Sequence, residues 1–253
     1  MRTSMKSLLA LTLLSASVPA FAQEEAPPSD VTVTGSVTLV SDYRYRGISQ
    51  TDKDFAVQGG ITVSHASGVY AGIWGSSISE YVAAGGDQEI DFSLGYSTEV
   101  APGTVIDAGV LYYYYPGAEG IVPGYNSDFL ETYASVKHTF GPATAKLSVA
   151  YAPKQSALSV GAGSEDNLYV AGDLGIGIPD TPISLSAHFG HSFGPSYLTI
   201  GDEYSDWSLG ASYTTGPVTL GVSYVDADGA SFVTPSGKDA ANGAIMFSIG
   251  AAF

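Results

Sequence analysis

The sequence lacks cysteine, is poor in basic residues and has no long hydrophobic run. Without cysteine, the chain can form neither a disulfide framework nor a thiolate metal site. Only 9 lysines and arginines stand against 25 acidic residues, which argues against recruitment to nucleic acid by bulk charge. A membrane helix needs roughly 18 or more consecutive apolar residues, and the sequence offers none. The remaining classes are soluble all-β proteins and β-barrels that cross a membrane with strands.

The N-terminus has the three parts of an export signal. Arg2 and Lys6 form a short basic region, and the apolar stretch at residues 8–18 is too short to span a bilayer. Small residues then precede a cleavage point after Ala22. We therefore expect a signal peptide at residues 1–22 and an exported protein.

The rest of the chain predicts strands. Residues 23–30 are acidic and proline-containing, which indicates a flexible lead-in. Residues 31–253 contain about twelve short segments in which apolar and polar residues alternate with the period of a β-strand. No helical periodicity accompanies them, so a single all-β domain is expected there.

The connections between these segments alternate in length. Short connections rich in glycine or proline lie at residues 65–68, 101–103, 141–142, 178–182 and 215–217, and long polar ones lie at 41–53, 79–87, 116–127, 153–165, 194–203 and 226–241. Transmembrane barrels have tight periplasmic turns and long extracellular loops. The sequence therefore predicts a transmembrane antiparallel up-and-down β-barrel of about 12 strands in the outer membrane. The alternation alone does not say which face is inside, and the signal peptide, the loop lengths and the carboxyl end favour an apolar face toward lipid.

The carboxyl end is a strand that stops on Phe253. This ending resembles the signal that delivers outer-membrane barrels to the β-barrel assembly machinery, which would be a partner of this chain.

Two sets of side chains follow from the predicted barrel. Polar residues of the lumen face are candidates for the pore or its constriction: Asp42, Arg44, Arg46, Glu89, Asp91, Asp107, Glu131, Lys137, Lys146, Asp173 and Asp206. Aromatic residues at the outer strand ends are candidates for an interfacial girdle: Tyr43, Tyr45, Tyr112, Tyr114, Tyr151, Tyr204, Trp207 and Tyr224. Carboxylates dominate the lumen set, so an open pore should favour cations.

Arg44 and Arg46 are two of the few basic residues in the first half of the chain. If the first strand continues past Leu39, both arginines face the lumen and Tyr43 and Tyr45 face outward. The arginines could then select solutes at the mouth, pair with lumen carboxylates to hold the first loop, or contact lipopolysaccharide phosphates.

Other chemistry has weaker support. The His65–Ser67 spacing lies in a turn, and the adjacent His191 and Ser192 lack a clear activating carboxylate. No histidine or carboxylate spacing indicates a metal site, and no motif indicates a cofactor. We expect a protein without enzymatic activity, and keep an outer-leaflet lipid hydrolase as a minor alternative.

The motif at residues 41–51 (SDYRYRGISQT), with Gln58-Gly59-Gly60 and the stretch at 68–76 (GVYAGIWGS), resembles the TorF-type porin family. The resemblance covers roughly residues 35–80. It implies an outer-membrane barrel of porin type, and the motif does not supply its substrate. We expect passive diffusion of small hydrophilic solutes, with lipid and lipopolysaccharide as the surroundings of the barrel. A closed structural or surface-interaction barrel is the alternative.

Overall fold

The computed structural model describes residues 30–118, 127–161 and 163–253. These residues form a closed barrel of twelve antiparallel strands. The strands are β1 (Val31–Val40), β4 (Ala56–His65), β5 (Val69–Ser77), β6 (Gln88–Ala101), β7 (Thr104–Tyr114), β8 (Phe129–Phe140), β9 (Ala143–Val160), β10 (Gly163–Gly177), β11 (Ile183–Phe193), β12 (Tyr204–Thr215), β13 (Val218–Asp228) and β14 (Ala244–Ala252). A small hairpin of β2 (Arg44–Tyr45) and β3 (Ile48–Ser49) stands apart, and one 3-10 helix spans Tyr197–Thr199. Among the described residues, no helix is long and apolar enough to cross a bilayer.

Closure comes from β1, which pairs with β4 on one side and β14 on the other. Val37, for example, lies opposite Gly59 in β4 and Ala251 in β14. Each remaining strand pairs with its sequence neighbours, so no crossover is needed. The ring therefore has no free sheet edge along its wall.

The exposure of side chains on the two faces of the barrel shows which face is inside, which the alternation alone does not. Large apolar side chains point outward, and Leu94, Leu209 and Phe247 are 55%, 58% and 60% exposed. Charged residues on the opposite parity, such as Asp91 and Asp206, are buried in the interior. An apolar outer wall around a polar lumen is the arrangement that suits a lipid environment.

The predicted alternation of connections holds with one exception. The short turns lie at the same end of the barrel as the chain termini, and the long connections lie at the other, which we call the loop end. The segment 153–165 is wrong as a loop, because β9 and β10 continue through it and form a tall hairpin with register shifts around Glu165. Its Leu158 is fully buried, so the hairpin bends inward over the mouth.

Some predicted features fall outside the described residues. These are the signal peptide, most of the flexible lead-in and residues 119–126 of the third long loop. The first strand begins at Val31, where the folded part is expected.

The aromatic girdle is partly corrected. Tyr112, Tyr114, Tyr151, Trp207 and Tyr224 lie near the loop end on the parity that faces outward. Three predicted members, Tyr43, Tyr45 and Tyr204, point inward instead. Tyr43 and Tyr204 are buried, with 8% and 2% of their surface exposed, and Tyr45 is half-buried. The reason for the first two is that β1 ends at Val40, so the strand parity does not extend to them.

The carboxyl terminus completes the ring. The backbones of Phe253 and Gly35 exchange two hydrogen bonds, with N–O distances of 2.8 and 2.9 Å. A Cβ on Gly35 would lie 2.6 Å from the Phe253 ring, so a larger residue there would displace the ring from its present position.

Candidate functional site

The first long connection folds into the barrel instead of standing outside it. We call residues 41–53 the plug loop. Its tip turns tightly because Arg46 and Gly47 both have positive φ, 47° and 82°. A Cβ on Gly47 would be 2.8 Å from the Cβ of Asp206 and 3.0 Å from that of Ala227. The tip therefore reaches the wall formed by β12 and β13.

Arg46 is clamped between two strands of the wall. Its guanidinium donates to Glu131 at 2.5 Å and to Asn167 at 2.7 Å. The same group lies 4.2 Å from the ring centre of Tyr169 and 4.7 Å from that of Tyr45, distances typical of cation–π contact. Burial alone would lower the pKa of Arg46, but Glu131 and the tyrosines outweigh it and raise the pKa. The side chain therefore stays charged.

Arg44 braces the loop internally. It donates to Asp42 at 2.8 Å, to the Gly47 carbonyl at 2.8 Å and to the Asn242 carbonyl at 3.0 Å. Asp42 also accepts from Ser49 at 2.6 Å. Both arginines and Asp42 thus lie inside the mouth, as the sequence predicts, although through an inward loop and not through a continued strand.

Tyr43 joins the plug loop to β6. Its hydroxyl donates to Glu89 at 3.0 Å, and its ring packs edge-on against Trp74 at 5.6 Å between centroids. Burial, followed by the charges of Glu89 and Asp91, raises the pKa of Tyr43 well above its ordinary value. The phenol therefore remains a donor at physiological pH.

Outer segments cover the plug loop. Lys238 donates to the Asp52 backbone carbonyl at 2.7 Å, and Thr234 donates to the Asp52 carboxylate at 2.6 Å. Tyr81 donates to the Ser49 carbonyl at 2.5 Å. The long connection 229–243, which we call the last outer loop, thus holds the plug loop from above.

The charged residues around the plug loop form a first layer at the mouth, and a second charged layer lies toward the terminus end of the lumen. Lys137 is opposite Lys146, and Lys146 is opposite Asp173. His188 bridges the two layers, with Nδ1 2.7 Å from Asp173 and Nε2 3.0 Å from Asp206. Asp107 completes this layer by accepting from Tyr70 at 2.8 Å. The predicted lumen residues therefore form two layers.

Several lumen residues lie outside the set predicted from the sequence. Asn167 and Tyr169 hold Arg46, Trp74 packs on Tyr43, and the hydroxyls of Tyr70 and Tyr133 are hydrogen-bonded to each other. Tyr70 and Tyr169 lie on the lumen parity beside acidic neighbours, which is a signal the sequence does contain. No local sequence pattern indicates that these wall residues contact the plug loop, which is far away in the sequence.

The two side chains of the candidate hydrolytic pair do not contact each other. His191 and Ser192 point to opposite faces, and Ser192 is buried against Asn167 in the lumen. On the outer face, His191 Nδ1 lies 2.9 Å from the hydroxyl of Ser205 in β12, while its Nε2 is 4.0 Å from Glu203. The carboxylate is beyond hydrogen-bond distance, so it does not orient the ring. Within the described ranges, no set of three side chains suited to metal binding comes together.

The fold is shared with solved porin structures. The NanC porin superposes with a TM-score of 0.56 and 11% identity, covering 88% of this chain and 99% of that one. The KdgM porin gives a TM-score of 0.55 and 7% identity over 88% of this chain and 98% of that one. At such identities the likeness shows the fold alone. No curated protein matches the sequence. The family model described as a bacterial protein of unknown function, Gcw_chp, matches residues 24–253, and the chain therefore belongs to the Gcw_chp family.

Proposed function

We propose that this protein is an outer-membrane channel for passive diffusion of small hydrophilic solutes, constricted at its extracellular mouth by the plug loop. The observation that carries the proposal is the inward-folded plug loop, whose Arg44 and Arg46 stand over an acidic lumen inside an apolar wall. A constriction made by an inward loop that carries charge opposite to the wall is how narrow pores select solutes. The TorF-type porin resemblance and the porin folds support the same assignment.

The plug loop must move for solutes larger than water to pass. Twelve strands lie between the filled 8-stranded barrels and the 16-stranded porins, so their lumen is narrow. Here the loop tip touches the wall at Asp206 and Ala227, and Arg46 reaches across the lumen to Glu131. A cavity of about 50 Å³ remains beside Tyr45, enough for one or a few water molecules. The conformation described is therefore the closed state of the channel.

A permanently closed barrel is the second candidate, and the same contacts favour it. Asp42, Ser49 and Thr51 of the plug loop are buried to 5% exposure or less, as in a fixed core. In that case the loops would serve a surface interaction without transport. Both candidates keep the export signal, lipid and lipopolysaccharide contacts, and assembly through Phe253, and neither involves catalysis.

Planar-bilayer conductance of the refolded mature protein separates the two candidates. The channel proposal expects ionic conductance, and expects a larger one when residues 42–52 are replaced by a short glycine-serine linker. The Arg44→Ala/Arg46→Ala double variant should also show a larger conductance than the wild type. A silent wild type whose loop-deleted variant is also silent would refute the channel and leave the closed barrel.

A further inference from the structure

Most carboxylates of the mouth have a basic side chain as partner. Asp42 pairs with Arg44, Glu131 with Arg46, and Asp206 with His188. Glu89 and Asp91 form no ion pair with any residue that the structure describes. They lie two positions apart on β6, and therefore on the same lumen face.

Both acids are deeply buried. Glu89 is 2% exposed and accepts hydrogen bonds from tyrosines, among them Tyr43 at 3.0 Å. Asp91 is 6% exposed, and its Oδ1 has no hydrogen-bond partner within the described part of the chain. A buried carboxylate oxygen without a donor carries a desolvation cost of several kcal/mol in general, so it requires compensation.

A second oxygen on the same wall lacks a donor as well. Gln58 of β4 lies opposite Ser76, which in turn lies opposite Glu89. The Oε1 of Gln58 is buried and has no donor among the described residues. Two strands of this wall, β4 and β6, thus each present an acceptor oxygen without a matching donor, and acceptor oxygens are the ligands of hard cations.

We propose that Glu89 and Asp91, with Gln58 at the rim, form a binding site for a monovalent alkali cation beneath the plug loop. The monovalent class fits because divalent sites in proteins gather several carboxylate ligands, whereas the described residues assemble no set of three carboxylate or histidine ligands. The inference deepens the proposed channel function, because the site would lie on the permeation path. Cation binding itself does not require conduction.

Trp74 provides a probe for this site. It lies opposite Asp91 in the β5–β6 pair, and the chain has one other tryptophan, Trp207, on the outer face. In a Trp207→Phe background, emission from Trp74 is titrated with KCl or NaCl, replacing N-methyl-D-glucamine chloride at constant ionic strength. We expect a saturable change, and an increase in the half-saturation concentration of about tenfold or more in Asp91→Asn.

Asp87→Asn is the matched control, because Asp87 is an exposed acid just before β6. It should leave the half-saturation concentration unchanged while removing the same charge. An identical response in Asp91→Asn, no response to K⁺ or Na⁺, a response to pH alone, or binding of Ca²⁺ at far lower concentration would each overturn the monovalent site. Conductance is measured separately, so a protein that binds but stays silent refutes only the channel, and one that conducts without the emission change refutes only the site.

Discussion

Replacement of Arg46 by alanine should open the mouth of the barrel. The guanidinium side chain is 6% exposed and makes two charge-assisted hydrogen bonds, to Glu131 and Asn167. Breaking one side of a buried ion pair costs about 3–5 kcal/mol, because the remaining charge stays buried. In Arg46→Ala that cost falls on the closed state, since Glu131 regains water when the plug loop leaves.

The size of the effect follows from this cost. Each 1.4 kcal/mol changes an equilibrium tenfold, so the closed-to-open ratio should fall about a hundredfold or more. The assay is single-channel recording, with open probability as the readout. Heat-modifiable gel mobility verifies that the variant barrel is folded.

Lys53→Ala is the control for removing a positive charge from the same loop. Among the residues that the structure describes, the Lys53 side chain donates only to the Asn242 carbonyl, at 3.4 Å in an exposed position, so its loss should change stability by no more than about 0.5 kcal/mol. Open probability that is equal in wild type and folded Arg46→Ala would refute the clamp. An equal increase in Arg46→Ala and Lys53→Ala would show that charge alone matters, not the buried contacts.

Three further predictions concern other parts of the molecule. Burial opposes the charge of Asp52, but hydrogen bonds and the positive charge of Lys238 in the last outer loop outweigh it and lower the pKa of Asp52. The contacts of the Asp52 carboxylate with that loop are therefore complete at neutral pH and are lost as pH falls below about 4. Acid should then speed protease cleavage of the plug loop in the wild type and not in Asp52→Asn. Deletion of Phe253 removes the backbone pair with Gly35, and should reduce the heat-modifiable, membrane-inserted fraction; an unchanged fraction would contradict a role in assembly. Incubation with phospholipid or lipopolysaccharide should release no fatty acid, and release that disappears in Ser205→Ala would instead support a hydrolase.

The wall of the barrel was predictable from the sequence for a physical reason. A strand has a period of two, so the sequence alone places residues such as Leu94 and Asp91 on opposite faces, without information on any distant contact. Turn chemistry and loop length then order the strands. Because Glu131 and Asp206 share the polar parity, their place in the lumen follows as well.

The plug loop was not predictable in the same way. Its position depends on partners more than 80 residues away, such as Glu131 for Arg46, and local pattern carries no information about them. Strand parity predicts an outward position for Tyr43 and Tyr45 only if β1 extends beyond Val40, where it ends. Burial of a phenol beside Glu89 is a tertiary preference that overrides the strand period.

The most direct test of the acidic lumen is the reversal potential of the refolded mature protein in a planar bilayer with a tenfold KCl gradient. We expect ionic conductance with a preference for K⁺ over Cl⁻. A preference for Cl⁻, or complete absence of conductance in both the wild type and the loop-deleted variant, would contradict it.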